Sequence, residues 1–327
     1  MIQNNILVAW AVLIISFIIL ARCADLFVDS AVAIAHKLQV PQLVIGIVLV
    51  SFATTAPELT VSLMSALRGN PEIALCNAVG SVICDDGLAL ALAAVFSVSA
   101  IAVIPAVLKT SGLFLIGIEV IAFLFVAFDY TLSRAEGIIL VILFAGYIGL
   151  LYFQHKRGVT MDTEEVEGAA EKAAGSMAKI IILFIMAVAG IIIASDFVIT
   201  SAVSIASWFN VPKTVIALTM IALGTSIPEV ATCIAAVRKN AGAIGVGNII
   251  GADIMNICWV AGASAIANDL TITAKEVYFM FPAMFVIVGS MLIMLRLGYK
   301  LTRTNGIVLL GLYAAYLVTS FMLFPPH

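Results

Sequence analysis

Charge is what this chain has least of. Only 11% of its 327 residues are Asp, Glu, Lys or Arg, too few to solvate the surface of a soluble protein of that length. Histidine is scarce too: His36, His155 and His327 fall at loop or terminal positions, which removes imidazole from the candidates for catalysis or ligation. The five cysteines, Cys23, Cys76, Cys84, Cys233 and Cys258, lie in apolar segments without metal-ligand spacing and read as packing thiols. No nucleophile–base pair and no phosphate-cradling loop occurs, which argues against an enzyme, and no cofactor is implied. The net charge of −3 singles out no partner, and nothing points to nucleic acid. Met1 to Asn5 lack the basic residues of a signal-peptide n-region, so the first apolar run is expected to be retained as a span.

What is abundant is hydrocarbon. Hydrophobic residues make up 63% of the chain and the mean hydropathy is +1.20, more apolar surface than a soluble core can hide. The class is an all-α integral membrane protein, with the lipid bilayer as its surroundings, because apolar runs of roughly 20 residues recur where barrel strands would alternate over about ten. Spans are expected near 5–36, 41–67, 72–99, 105–128 and 134–154, then 179–208, 212–237, 242–268, 276–296 and 304–323. That is ten transmembrane helices in two fives, residues 1–154 and 179–327, joined by a polar linker at 155–178.

The fives repeat one another. A shift of 171 residues carries Glu58 onto Glu229, Asp25 onto Asp196, Pro41 onto Pro212, Asn77 onto Asn248 and Gly80 onto Gly251. An odd number of spans per half makes the repeats inverted, the arrangement that places a midplane site between two halves alternating access. Arg68, Arg134, Lys213 and Lys275 fall in loops on one side, and the other side holds eleven Lys and Arg residues. This bias predicts a multi-pass plasma-membrane protein with both termini outside and the linker cytoplasmic.

Each half carries one costly motif. Thr54-Thr55-Ala56-Pro57-Glu58 and Gly224-Thr225-Ser226-Ile227-Pro228-Glu229 place a carboxylate and a helix-breaking proline inside apolar runs. A mid-bilayer carboxylate costs about 2.5–3.5 kcal/mol on insertion scales, so two at duplicated positions are hard to explain as packing. Thr54 and Glu58, four apart, share a helix face, and Pro57 leaves the Ala53 carbonyl without its usual partner. Pro228 does the same for Gly224. Hydroxyls, carbonyls and one carboxylate in a broken turn are hard oxygen donors suited to Ca²⁺ or Na⁺. In the next helix Asn77, Ser81 and Asp85 form a polar stripe, matched by Asn248, Ala252 and Asn256, while Asp86 and Asp253 stand outside the symmetry. Arg22, Asp25 and Asp29 share a face of the first helix and are expected to form an internal ion pair.

On those two motifs, each followed by a helix with the Asn-x-x-Gly pattern, the sequence resembles the cation/calcium exchanger superfamily, and within it prokaryotic sodium/calcium exchangers. The resemblance implies a central site where Glu58 and Glu229 ligate Ca²⁺, assisted by the carbonyls of Thr54 and Thr225. Flanking Na⁺ sites would use Thr55, Ser226, Ser81 and the carbonyls of Ser51 and Ala222. The family's remaining polar positions, for sodium or proton coupling, fall on Asp85 and Asn256, with acid and amide exchanged between repeats relative to the family pattern. Ala252 replaces a serine and Val82 an asparagine. The expected activity is secondary active exchange of Ca²⁺ for Na⁺, with an H⁺- or K⁺-coupled cation antiporter as the alternative and a channel as the less favoured one.

Overall fold

The computed structural model describes residues 6–38, 42–103, 105–156, 176–208 and 223–324. The apolar runs are helices, since in hydrocarbon a lone span can satisfy its backbone only within itself. In chain order they are α1 (Ile6–Leu38), α2 (42–54), α3 (Ala56–Leu67), α4 (Pro71–Phe96), α5 (Pro105–Val126), α6 (Arg134–Lys156), α7 (Met177–Trp208), α8 (Ile227–Arg238), α9 (Gly242–Ala267), α10 (Ala274–Arg296) and α11 (Arg303–Leu323). Eight helices among the described residues are long and apolar enough to cross a membrane. Helices α2 and α3, which bend by 51° at Thr55, are long and apolar enough for a ninth when counted together as one broken span. The span expected at 212–237 is described only from residue 223, and the linker only at its ends.

Helices α4 and α9 form the centre. They are 78% and 83% buried over their spans, against 17–44% for the other long helices. Gly251 lets α9 lie directly on α2, because a Cβ there would strike the Ile47 carbonyl and come within 2.5 Å of the Ser51 hydroxyl. Gly251→Ala is therefore expected to destabilise the protein by about 1–3 kcal/mol, the range for forcing a methyl into a packed interior. A lowered melting temperature in detergent would show it, and an unchanged one would mean that the two helices separate freely.

The sequence predicted helices and loops only, but four two-residue strands also form: β1 (Ile101–Ala102), β2 (Thr131–Leu132), β3 (Leu270–Thr271) and β4 (Lys300–Leu301). They are too short for alternation to reveal them. β1 pairs antiparallel with β4, Ile101 opposite Leu301, and β2 with β3, Thr131 opposite Thr271. A shift of 170 residues converts one ribbon into the other, Ile101 taking the place of Thr271 and Thr131 that of Leu301. Capping boxes follow three of the strands: the side chains of Glu136, Glu276 and Asn305 accept the backbone N–H of Ser133, Thr273 and Thr302 at 2.8, 2.9 and 2.9 Å, starting α6, α10 and α11.

The buried hydrophobic residues fall into two clusters. The larger spans α2, α4–α6 and α8–α11 with part of α3; the smaller is built mainly by α1 and α7, where Phe27 stacks on Phe184 with centroids 4.7 Å apart. Helix α1 also reaches the end of α8, and this corrects the ion pair expected within α1. Asp29 receives the ammonium of Lys239 at 2.7 Å, and Arg22 makes no ion pair among the described residues. Local spacing favoured Arg22, but that side chain is exposed, whereas the packing of α1 on α8 brings Lys239 to Asp29.

Candidate functional site

The two helix breaks have the same backbone. Thr55 adopts φ −78°, ψ 2° and Ser226 φ −83°, ψ 3°. Pro57 and Pro228 follow in the first turn of α3 and α8; neither can donate an N–H, so a new helix starts where the old one stops. Glu58 and Glu229 thus sit in N-terminal turns, whose exposed N–H groups favour negative charge.

Both carboxylates are fully buried. None of their four oxygens receives a hydrogen bond of ordinary geometry, although Thr225 stands beside Glu58 and Thr54 beside Glu229. Each glutamate is therefore neighboured by a hydroxyl from the other break. The threonines are held by the central helices in matching fashion: Thr54 Oγ1 donates to Asn248 Oδ1 at 3.0 Å, and Thr225 Oγ1 to Asn77 Oδ1 at 3.3 Å. The amide ends are fixed in turn, Asn248 Nδ2 on Thr232 Oγ1 at 3.1 Å and Asn77 Nδ2 on Ser62 Oγ at 3.0 Å. Ser81 Oγ lies 3.4 Å from Thr225 Oγ1.

Asp85 completes the group. It is buried beside Ser226 and close enough to Glu58 and Glu229 for the three acids to repel one another. Asn256 Nδ2 donates to Asp85 Oδ2 at 3.4 Å, so two residues separated by 171 positions touch. Each is the first residue of a π-helical segment, Asp85–Leu90 in α4 and Asn256–Ala261 in α9. Such segments swing a side chain out of α-helical register and favour functional sites. The hydroxyls of Thr55 and Ser226 are buried without a partner. Among the described residues no Lys or Arg is buried, so neutralising these acids would take protons or a cation from outside the described residues. Among the described residues no three His, Cys, Asp or Glu side chains could hold a metal ion on their own. A bound cation would have to draw on the hydroxyl and carbonyl oxygens as well.

Of the other expected residues, Ala222 lies outside the described residues. The Ser51 carbonyl, expected to face sodium, accepts the Thr55 N–H at 2.9 Å, and the Thr54 hydroxyl, whose proton goes to Asn248, lies 3.4 Å from it. One lone pair of this carbonyl is thus taken within its own helix, and the other is left for an ion. The Ser51 hydroxyl turns away, onto the Ile47 carbonyl and to 3.6 Å from Met255 Sδ.

Sequence reasoning missed one acid. Glu119, on α5, is 1% exposed with neither oxygen hydrogen-bonded. It lies near Asp86 and Asp253, which are also fully buried with no carboxyl oxygen hydrogen-bonded. Its only signal is being the sole charged residue between Lys109 and Asp129, and it has no counterpart acid in the other half.

The family model described as sodium/calcium exchanger protein matches residues 8–153 and 179–322. The chain is 30% identical to the sodium/calcium exchanger MaX1 of Methanosarcina acetivorans, over 97% of this chain and 99% of that one. It is 31% identical to the putative antiporter CaxA of Alkalimonas amylolytica, over 95% and 98%. Among solved structures, the sodium-calcium exchanger NCX_Mj soaked with 100 mM Na⁺ and 10 mM Sr²⁺ superposes with a TM-score of 0.82 at 25% identity, over 96% of this chain and 99% of that one.

Proposed function

The chain belongs to the sodium/calcium exchanger family, a family of membrane cation exchangers, and from that premise we propose that it is an antiporter moving Ca²⁺ against Na⁺ by alternating access. The observation that carries the reading is the pair Glu58 and Glu229, buried and without hydrogen-bond donors at two equivalent helix breaks, each beside a hydroxyl of the other break. Two inverted five-helix repeats, 1–154 and 179–327, account for the matching breaks, for the crossed strand ribbons and for the contact between Asp85 and Asn256. Calcium sits between Glu58, Glu229, Thr54 and Thr225 in this reading. Sodium is held by Thr55, Ser226 and Ser81, with Ser51 and Ala222 contributing carbonyls and Asp85 and Asn256 setting the coupling. The membrane is the plasma membrane, with both termini outside.

Charge then dictates exchange. Glu58, Glu229 and Asp85 carry three negative charges when ionised, and a site should cross hydrocarbon only when close to neutral. About three Na⁺ neutralise it, as does one Ca²⁺ with Asp85 protonated, whereas the empty site stays put.

A second reading has support of its own. Asp86 and Asp253 are fully buried acids with none of their four carboxyl oxygens hydrogen-bonded, and Glu119, equally unpartnered, stands near both, so burial without a counter-charge among the described residues disfavours their charged forms. That arrangement favours H⁺ as a coupling ion. ⁴⁵Ca²⁺ uptake into proteoliposomes loaded with Na⁺, K⁺ or acid alone separates the readings. We expect uptake with internal Na⁺ only; uptake driven by acid or K⁺ alone replaces sodium, and current with no counter-ion would make the protein a channel.

A further inference from the structure

A cleft of about 410 Å³ lies between α1, α7 and α8, within the size range of small-molecule sites. Among the described residues that line it, all are apolar except Asp25 and Arg238. Phe17 and Ala21, on its α1 wall, are exposed on a helix face that meets hydrocarbon, so the cleft opens toward the bilayer. Its inner end is closed by Leu223 and Gly224, next in the chain to Thr225.

The occupant follows from the lining. Water needs two to four polar partners to stay in a cavity and finds too few along these walls. An unfilled void forfeits dispersion contacts that a neighbouring acyl chain can supply. The mouth adds selectivity. Asp29 is bound to Lys239 at the end of α8, and Asp25 stands one turn before Asp29 on α1, which puts its carboxylate at the same end of the cleft as Arg238. Arg238 is exposed and makes no ion pair among the described residues. A carboxylate and a guanidinium flanking one opening complement a headgroup with an amine and a phosphate.

We propose that this cleft is a phospholipid site, one acyl chain lying along Leu20, Val198 and Ala231 with its ethanolamine phosphate headgroup between Asp25 and Arg238. A chain seated there touches the segment that leads into the ion-site turn, so lipid composition is read at the candidate site without any lipid contact to an ion ligand.

The test is native mass spectrometry of the full chain, taken from vesicles of equal parts phosphatidylethanolamine, phosphatidylcholine and phosphatidylglycerol. Wild type should retain one phospholipid per chain, mostly the ethanolamine class. Ala21→Trp, an exposed position that fills the mouth, should abolish the retained lipid. Arg238→Gln should weaken retention by about tenfold, the worth of one charge-assisted hydrogen bond to phosphate, and level the three classes. Should Ala21→Trp fail to accumulate as folded protein, Arg238→Gln decides alone. Retention without class preference, or unchanged in the folded variants, would mean annular lipid only and would overturn the site.

Discussion

Glu58→Gln and Glu229→Gln each abolish calcium uptake into proteoliposomes, and neither lowers the melting temperature of the cation-free protein. The two halves of this expected result come from one cause. The wild-type carboxylates are buried without donors, so in the absence of cations each is a liability that a neutral isostere relieves. With calcium present the sign reverses. The amide removes one charge from the site and points an N–H end where an oxygen should face the ion. Losing a supporting partner of a metal ligand already costs 10–100-fold in affinity, and a direct ligand should cost at least about 100-fold. Wild type should therefore gain stability on adding Ca²⁺, about 2.7 kcal/mol at a hundredfold excess over Kd, while the variants gain almost none. Near wild-type flux in both variants would remove the central site from Glu58 and Glu229. A large fall in cation-free stability would instead mark them as structural.

The second large effect concerns Asp85 and Asn256. Asp85→Asn is expected to keep calcium binding, to lose most sodium-driven flux and to flatten its pH dependence, because one of three site charges is gone. Folding should survive, since two facing amides can still share a hydrogen bond where Asn256 now donates to Asp85 at 3.4 Å. The double variant Asp85→Asn with Asn256→Asp restores the charge and reverses that bond. In the two-repeat reading it moves the acid from beside Ser226 to beside Thr55, and both of those hydroxyls are buried and unpartnered. Sodium-dependent flux should recover in the swap. If the swap transports no better than the single variant, ligand geometry around Asp85 controls coupling, and total charge does not.

Much of this was legible from the residues alone, and the exceptions have physical reasons. Hydropathy placed the described ends of α1, α4, α6 and α9 within about three residues, because bilayer thickness sets span length. Pro57 and Pro228 located both helix breaks, since a missing N–H is a local property. The π-helical turns at Asp85 and Asn256 were not foreseeable, as one extra residue in a helix leaves no mark on hydropathy or spacing. Glu119 was hidden by its neighbours: averaged over a span, one acid among so many apolar side chains vanishes. The partner of Asp29 was misjudged for the opposite reason, because Lys239 lies 210 positions away and only tertiary packing brings it near.

The crossed ribbons also set the order in which the molecule can be finished. β1 must wait for β4, about 200 residues further along the chain, which at synthesis rates of 5–20 residues per second is roughly 10–40 s after β1 leaves the ribosome. For most of that interval the helices already made carry unpaired strand edges, β2 until β3 follows it by about 140 residues and β1 until β4 is made. Two residues of strand offer little for another chain to capture, so the brevity of these ribbons suits a protein whose halves arrive one after the other.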